Sequence, residues 1–219
     1  MKEFITVLRN DHSEFDKGSL DDQLRQTDPF ELFQLWLEEA YNTKCIEPNA
    51  MTISTVDENA MPSSRVVFMK EMADDGFIFY TNYTSKKAED LKSNDAISSL
   101  FYWNCLSRQV RIQGHVEKVS AQRSDDYFNS RPRGSQIGAW ASDQSSEIKE
   151  RAALESNLQA IEEKFEGKDV PRPPFWGGYV VKPLNFEFWQ GRPSRLHDRI
   201  CFERKDLSQR KWRVIRKNP

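Results

Sequence analysis

The sequence predicts a mainly β protein with flanking helices, built as an antiparallel closed or split barrel. From residue 50 onward, apolar and polar residues alternate with a period of two in several successive runs, as expected of strands. These runs follow one another through short turns, without the strand-helix-strand rhythm of a parallel sheet. The sequence also has no Gly-x-Gly-x-x-Gly fingerprint, so a nucleotide-like cofactor would not bind as it does in a Rossmann fold.

Size and charge narrow the class of protein. The 219 residues are enough for one domain, and we expect a flexible arm at residues 1–27 followed by a single domain at residues 28–219. The 32 Lys and Arg residues and 34 Asp and Glu residues give a net charge of -2, which argues against nucleic acid or an anionic membrane as a partner. The hydrophobic fraction of 37% is low for a monomer, so an oligomer that buries more surface fits better.

The sequence also indicates a cellular location and argues against a bound catalytic metal. No apolar run reaches the roughly 20 residues that span a bilayer, and residues 1–18 lack the apolar core of a signal peptide. Cys45, Cys105 and Cys201 are odd in number and far apart, which predicts no disulfide framework and favours a reducing, cytoplasmic location. The three histidines fit no metal-binding motif, so we expect no bound catalytic metal.

The first helix is predicted from its capping residues. Asp28 suits the N-cap and Pro29 the first helical position, and the helix should end before residue 43. Its predicted buried stripe consists of Phe33, Trp36, Leu37 and Ala40.

The remaining elements follow from periodicity and turn residues. Strands are predicted at Met51–Val56, Arg65–Lys70, Phe77–Thr81, Ala96–Trp103, Arg108–Val119, Trp176–Val181, Phe186–Gln190, Ile200–Arg204 and Trp212–Ile215. Helical segments are predicted at Lys86–Ser93, with Ser85 as N-cap, at Ser124–Asn129 and at Ser146–Phe165, and a basic loop at Arg131–Ser135.

Ionisable residues concentrate just after the aromatic strand Phe186–Gln190. If the chain re-enters a strand after the Gly/Pro turn, Arg195, His197 and Arg199 project from one face, and two guanidiniums beside an imidazole favour a planar anion. The alternative is that Arg195 and Arg199 are surface residues paired with Glu187 or Asp198, and that His197 is a histidine at the barrel rim whose hydrogen bonds are satisfied.

Two further groups of residues could each bind a phosphate. In the first, Lys86 and Lys87 open a helix whose N-terminus favours an anion, and Arg65 could face them. The alternative is an ordinary solvated helix. The second group combines point charge, guanidinium and hydroxyls, and consists of Lys70, Tyr127, Arg131 and Ser135. Its alternative is an exposed turn.

The segment Phe186–Arg199, which contains the runs FEFWQ and RLHDR, resembles the C-terminal signature of the pyridoxamine/pyridoxine 5'-phosphate oxidases. The similarity extends from Asp28 through Ser130–Arg133 and Gln136–Trp140 to the last strands. The resemblance implies a homodimeric split barrel that holds FMN at the subunit interface. It also implies oxidation of pyridoxamine or pyridoxine 5'-phosphate to pyridoxal 5'-phosphate by dioxygen, with release of hydrogen peroxide.

The resemblance carries a set of site residues to this sequence. The implied FMN contacts are Arg65, Val66, Val67, Phe68, Met69, Lys70, Tyr80, Thr81, Lys86, Lys87, Gln109, Gln144, Ser145, Trp189 and Arg199. The implied contacts to the substrate phosphate are Lys70, Tyr127, Arg131 and Ser135. Arg195, Leu196 and His197 would enclose the pyridine ring, and we assign Arg195 and His197 to orienting the reacting carbon.

Some residues depart from the family pattern, and other functions remain open. Lys86 stands where many members have Arg, and His12 and Phe15 stand where some bacterial members have an Arg and a Tyr that close over the substrate. One alternative is a non-catalytic flavin or pyridoxal-phosphate binding protein with the same barrel. Another is a flavin reductase that uses NAD(P)H, although the sequence shows no recognisable nicotinamide site.

Overall fold

A computed structural model describes residues 14–219, which divide into two compact units. Unit 1 comprises the described residues up to Pro48 together with Leu100–Ile112 and Leu184–Pro219. Unit 2 comprises Asn49–Ser99 and Gln113–Pro183. The boundary that we predict at residue 28 for a single domain stays a prediction.

The described residues form nine strands and five α-helices. The strands are β1 (Ala50–Val56), β2 (Pro62–Phe68), β3 (Glu71–Ala73), β4 (Gly76–Asn82), β5 (Ala96–Trp103), β6 (Arg108–Lys118), β7 (Trp176–Gln190), β8 (Asp198–Glu203) and β9 (Arg213–Arg216). The helices are α1 (Pro29–Asn42), α2 (Lys86–Ser93), α3 (Ala121–Ser130), α4 (Arg133–Ala141) and α5 (Arg151–Lys164). Short 3-10 helices cover Asp22–Gln26, Asn104–Leu106 and Pro193–Arg195.

The strands are hydrogen-bonded in the order β2-β1-β5-β6-β7-β4-β3, and β8 pairs with both β7 and β9. Neighbouring strands run antiparallel, for example β1 with β2, β4 with β7 and β7 with β8. The predicted antiparallel, mainly β fold with flanking helices is therefore confirmed.

In unit 1, the predicted cap of α1 is confirmed. The Asp28 carboxylate accepts a hydrogen bond from the Phe30 amide at 2.8 Å, and Pro29 begins the helix. Phe33 and Trp36 are buried and make edge-to-face or tilted ring contacts with the aromatic residues of β5 and β7. Ala40 is also buried as predicted, but Leu37 is only half-buried, and Leu32, one turn before Trp36, is buried in its stead.

In unit 2, a compact apolar cluster supports α3, α4 and the start of β7. Its buried members are Phe128, Ile137, Phe165, Val170 and Trp176. A Cβ atom at Gly114 of β6 would collide with the Lys182 carbonyl of β7, so glycine permits the close approach of the two strands.

Several element boundaries differ from the predictions. The predicted strands Trp176–Val181 and Phe186–Gln190 form one continuous strand, β7, which pairs first with β4 and then with β8. Pro183 lies between the segment of β7 that pairs with β4 and the segment that pairs with β8, so its missing N–H removes no hydrogen bond to β4 or β8. The short strand β3 was not predicted, and α5 begins only at Arg151.

Two predicted segments near the helices also need correction. Helix α4 begins at Arg133, so Ser135 lies in a helix and not in the predicted basic loop. Ser85 precedes α2 as predicted, but its hydroxyl donates to the Asn82 carbonyl at 2.7 Å and makes no capping bond to the helix.

Part of the expected N-terminal arm contacts the rest of unit 1. Leu20 is buried, its amide donates to Asp198 at 3.1 Å, and its carbonyl accepts from Arg216 at 2.8 Å. Residues 1–13, including His12, lie outside the described residues.

The predicted absence of a disulfide is wrong in this structure, because the sulfurs of Cys45 and Cys105 are bonded and their Cα atoms lie 5.8 Å apart. Cys45 follows α1, and Cys105 lies in the 3-10 turn that joins β5 to β6. The Trp103 indole donates to the Pro48 carbonyl at 2.8 Å and brings these two segments together, which the 60-residue separation conceals. The cytoplasmic location stays a prediction. Within residues 14–219, no helix is long and apolar enough to cross a bilayer.

Candidate active site

Unit 2 contains a cavity of about 520 Å³, within the size range of small-molecule and cofactor sites. Its lining residues are Arg65, Val66, Val67, Phe68, Lys70, Tyr80, Thr81, Asn82, Lys87, Tyr127, Arg131, Ser135, Gly138, Ala139, Ser142, Gln144 and Trp176. The lining has four cationic side chains and no carboxylate. Because buried cations are normally paired, this lining is suited to an anionic ligand.

Lys87 is the most buried of these cations. Its ammonium donates to Thr81 Oγ1 at 3.1 Å, Ser85 Oγ at 3.0 Å and Gln144 Oε1 at 3.0 Å, which are all neutral acceptors. Burial, with a smaller contribution from the charge of Arg65, lowers the pKa of Lys87 to about 8. An anion beside this ammonium would supply the charge that its protein partners do not.

Arg65 is held at the cavity by two hydroxyl groups. Its guanidinium donates to Thr55 Oγ1 and to Ser63 Oγ, each at 2.7 Å, while the nearest Asp90 oxygen lies 4.0 Å away. Burial lowers the pKa of Arg65, and Asp90 partly opposes this effect. These hydrogen bonds fix the Arg65 guanidinium at the start of the part of β2 that lines the cavity.

Lys86 lies in a different environment from its neighbour. It is half-exposed, pairs with Asp90 at 2.5 Å and Asp57 at 3.7 Å, and does not line the cavity. Met69 is buried outside the lining, and Ser145 borders a separate depression. These three predicted FMN contacts are therefore not among the lining residues of unit 2.

Arg131 lies against aromatic rings. Its guanidinium carbon is 4.7 Å from the centroid of the Trp176 ring and 5.7 Å from that of Phe128. The Nη1 atom is buried and has no hydrogen-bond partner among the described residues. Burial lowers the pKa of Arg131, and Tyr127 partly opposes this effect. A buried donor without a partner is unfavourable, so this atom marks a position where a bound ligand would complete the structure.

Next to Arg131, the rings of Trp176, Tyr80 and Tyr127 lie nearly parallel to one another. Tyr80 stacks on Tyr127 with centroids 3.9 Å apart, and Trp176 lies 5.5 Å from Tyr80. The Tyr80 hydroxyl donates to Glu71, which also accepts from Arg123 Nε at 2.8 Å. Burial, followed by the hydrogen bond to Glu71, raises the pKa of Tyr80, so its hydroxyl stays protonated and serves as a donor.

In unit 1, His197 packs among aromatic rings at the end of β7. Its ring centroid lies 4.6 Å from that of Trp189 and 5.4 Å from that of Phe15. Its Nδ1 accepts a hydrogen bond from the Arg192 amide at 3.1 Å, which assigns the neutral tautomer with hydrogen on Nε2. Burial and the nearby charge of Arg195 lower the pKa of His197, so the neutral ring prevails at pH 7.

The condition under which Arg195, His197 and Arg199 would share one face of a strand is not met. Residues Pro193–Arg195 form a 3-10 turn, and β8 begins only at Asp198. Ser194 and Arg195 have φ of 56° and 60°, a left-handed conformation that is uncommon for residues other than glycine. Of the three basic residues, only Arg199 lies in the strand, while Arg195 and Leu196 are exposed in the turn.

Arg199 is paired inside unit 1. Its guanidinium donates to the two carboxylate oxygens of the buried Glu187 at 2.9 and 3.3 Å. Arg111 approaches the same carboxylate at 3.5 Å, and the Cys201 thiol lies 3.8 Å from it. The alternative interpretation, pairing with a neighbouring carboxylate, thus holds for Arg199, whose pKa is raised chiefly by this hydrogen bond.

Apart from Lys86, Met69 and Ser145, which belong to unit 2 but lie outside the lining, the predicted site residues fall into two groups. Those that line the cavity of unit 2 are Arg65, Val66, Val67, Phe68, Lys70, Tyr80, Thr81, Lys87, Tyr127, Arg131, Ser135 and Gln144. Those in unit 1 are Gln109, Trp189, Arg195, Leu196, His197 and Arg199. Sequence reasoning missed Asn82, Gly138, Ala139, Ser142 and Trp176 in the lining. The small residues at 138, 139 and 142 follow a helical spacing that could have been recognised, whereas Trp176 is preceded by no distinctive signal.

Comparisons with known proteins identify the family of this chain. A family model described as "Pyridoxamine 5'-phosphate oxidase" matches residues 37–165, and one described as "Pyridoxine 5'-phosphate oxidase C-terminal dimerisation region" matches residues 176–219. The chain is 48% identical over 215 residues to the pyridoxine/pyridoxamine 5'-phosphate oxidase of Burkholderia multivorans, covering 98% of this chain and 100% of that protein.

Solved structures show the same fold. PhzG from Burkholderia lata 383, solved in complex with tetrahydrophenazine-1-carboxylic acid, matches with a TM-score of 0.85 and 28% identity over 93% of this chain and 100% of that one. A pyridoxamine 5'-phosphate oxidase-related, FMN binding protein from Nostoc punctiforme matches in fold, with a TM-score of 0.69 and 16% identity over 88% and 99% of the two chains. The predicted split-barrel class is confirmed, and the chain belongs to the pyridoxamine 5'-phosphate oxidase family.

Proposed function

We propose that this protein is an FMN-dependent oxidase that converts pyridoxamine 5'-phosphate and pyridoxine 5'-phosphate to pyridoxal 5'-phosphate. Dioxygen is the electron acceptor and is reduced to hydrogen peroxide, and with the amine substrate water is also consumed and ammonia released. The observation that carries the proposal is the cavity lining with four cations and no carboxylate, in which Arg131 Nη1 has no partner among the described residues. A phosphorylated ligand supplies the anion that this lining lacks.

The cavity fits FMN by the chemistry of its donors. Lys87 and Arg65 are fixed by neutral hydroxyl and amide groups and remain available for a phosphate. Tyr80 and Thr81 of β4 and the backbone of residues 65–70 would hold the rest of the cofactor. When bound, FMN supplies the two-electron acceptor that the side chains themselves lack. The protein then has to bind both phosphates and orient the substrate's exocyclic carbon.

The substrate phosphate is assigned to Arg131, Lys70, Tyr127 and Ser135. Within residues 14–219, Lys70 forms no ion pair, and its ammonium lies 5.1 Å from the Phe68 ring centroid. Arg131 and Lys70 would together neutralise a dianion, while the hydroxyls of Tyr127 and Ser135 supply neutral donors. A substrate without its phosphate should therefore bind much more weakly.

Arg195 and His197 are assigned to the pyridine ring. Since Nδ1 of His197 accepts the Arg192 amide, Nε2 can donate a hydrogen bond to a substrate oxygen but cannot accept a proton while the ring keeps this tautomer. The Arg195 turn projects an exposed guanidinium without a paired carboxylate among the described residues. The role of this pair is orientation, and a strong general base is not required of it.

The proposed assembly is a homodimer that holds FMN at the subunit interface. The support is the match of residues 176–219 to the dimerisation region, which includes Trp189, Arg195, His197 and Arg199. Light scattering of the FMN-loaded protein at micromolar concentration should give twice the chain mass of 25.7 kDa. A monomer that retains FMN would contradict the assembly.

Peroxide release tests the activity. Purified protein loaded with FMN is mixed with pyridoxamine 5'-phosphate, pyridoxine 5'-phosphate, unphosphorylated pyridoxamine or tetrahydrophenazine-1-carboxylic acid. The proposal expects equal amounts of peroxide and aldehyde from the two phosphorylated substrates. Flavin-loaded protein that binds these compounds without peroxide release would be a carrier. Preference for the tricyclic acid, the compound bound in the PhzG structure, would contradict the proposed substrate. Flavin bleaching by NADH alone would favour a reductase.

A further inference from the structure

Trp176, the first residue of β7, lies beside the only guanidinium of the cavity lining that has a buried nitrogen without a partner among the described residues. Its side chain is 6% exposed, and the Arg131 guanidinium carbon lies 4.7 Å from its ring centroid. We propose that Trp176 is a positioning residue for phosphorylated ligands, because its ring holds the Arg131 guanidinium in place and leaves Nη1 available to the anion. This inference deepens the proposed function and rests on it for the identity of the ligand.

Arg131 needs such support because its charge is not paired within the cavity. The lining contains no carboxylate, and a long cationic side chain without a partner would otherwise turn toward water. Stacking on an aromatic face stabilises a desolvated guanidinium while leaving its N–H edge free, as a carboxylate partner would not. Ligand binding then requires little reorganisation of Arg131, which favours affinity.

The Trp176 ring is itself held in a fixed orientation. It lies nearly parallel to Tyr80 and Tyr127, at interplanar angles of 9° and 6°. Tyr80 is anchored through its hydroxyl to Glu71, which also accepts a hydrogen bond from Arg123. Because Tyr80 is anchored on β4, its stacking fixes the orientation of the Trp176 ring that supports Arg131.

The test separates this positioning role from ordinary core packing. Trp176→Leu removes the aromatic face, and Trp176→Phe keeps one. Trp140→Leu is the matched control, since Trp140 packs against the same apolar cluster but does not line the cavity, and its indole donates to the Pro171 carbonyl at 2.7 Å. Each variant is prepared with FMN bound, and dissociation constants are measured for pyridoxal 5'-phosphate and for inorganic phosphate.

We expect Trp176→Leu to weaken the binding of both probes by about five- to thirtyfold, the range between an exposed and a desolvated cation–π contact. Trp176→Phe should recover most of this loss, and Trp140→Leu should change the affinity by less than about twofold because it leaves Arg131 supported. In an Arg131→Met background, Trp176→Leu should have almost no further effect on phosphate binding.

Unchanged affinity in Trp176→Leu, or the same loss in both backgrounds, would overturn the inference. If Trp176→Leu does not fold, the same comparison of backgrounds with Trp176→Phe, which weakens the contact by a smaller factor, decides the question. Peroxide release by the wild type is measured separately. If the effects of Trp176 and Arg131 on phosphate binding are coupled but no peroxide is released, the inference holds and the oxidase proposal fails. If peroxide is released but the two effects are not coupled, only the inference is overturned.

Discussion

Replacement of Arg131 by methionine should stabilise the ligand-free protein while weakening ligand binding. The buried Nη1 has no hydrogen-bond partner among the described residues, and an unpaired buried donor costs about 1–3 kcal/mol. The contact between the Arg131 guanidinium and the Trp176 ring offsets about 0.5–2 kcal/mol of this cost. Methionine has no donor to satisfy and can fill the same space, so we expect a gain of about 1 kcal/mol in the free energy of unfolding. For a chain of this length, this corresponds to a rise of about 2–4 °C in Tm.

The same change should have the opposite effect when ligand is present. Loss of one charge-assisted contact costs about 1.5–3 kcal/mol, or roughly ten- to a hundredfold in the KM or Kd of the phosphorylated substrate. Ligand at a hundred times its Kd stabilises the wild type by about 2.7 kcal/mol, whereas at that concentration the variant is only partly occupied. The order of the two melting temperatures should therefore reverse when pyridoxal 5'-phosphate is added to the FMN-loaded proteins.

Thermal melts with and without pyridoxal 5'-phosphate measure both effects. Arg133→Met is the matched control, because the Arg133 guanidinium donates to the carbonyls of Lys168 and Phe165 and does not contact the cavity. This control should lower Tm and leave the ligand-induced shift unchanged. An Arg131→Met protein that melts lower than the wild type in both conditions, with an undiminished ligand shift, would refute the assignment of Arg131 as a preorganised phosphate ligand.

Three further predictions follow from other parts of the chain. Burial lowers the pKa of Lys87 in the folded protein to about 8 from the ordinary lysine value of 10.5, so the unfolded chain binds more protons between these pH values. The stability of the apoprotein should therefore rise with pH in this range, while the affinity for FMN falls because the ammonium loses its charge. Titration of FMN into wild type and Lys87→Arg from pH 7 to 10 checks this, and an equal slope in both would contradict it. Glu187→Gln should destabilise the protein by about 3–5 kcal/mol in urea unfolding, since it leaves the Arg199 charge without its carboxylate, and an unchanged midpoint would disprove this. The Cys45–Cys105 bond closes a loop with a sequence separation of 60, so its reduction should lower the free energy of unfolding by about 4 kcal/mol. A Cys45→Ser protein with the same Tm as the oxidised wild type would contradict this.

Local signals in the sequence predicted most of the secondary structure. Asp28 and Pro29 mark the start of α1 by chemistry that acts within one helical turn, and the structure shows the expected capping bond. Alternation of period two located the strands for the same reason, since it reports which face of a strand is buried. The motif around His197 was sufficient to indicate the family, and the comparisons confirm it.

Contacts between distant segments decided what local signals could not. Lys86 and Lys87 are adjacent in sequence, yet Lys86 pairs with Asp57 and Asp90 while Lys87 is buried among neutral groups. Their side chains leave α2 on different sides, so their environments depend on which strands pack there and not on the sequence of the helix.

By itself, the sequence determined the antiparallel class, the helix cap and the family, because each depends on residues close together in the chain or on a dense motif. Only the tertiary structure determined that the Arg131 guanidinium lies over the Trp176 ring, that Cys45 meets Cys105, and that Arg195 lies in a left-handed turn. Burial, pairing and backbone strain are set by strand order and packing, which bring together residues that the linear sequence separates by tens of positions.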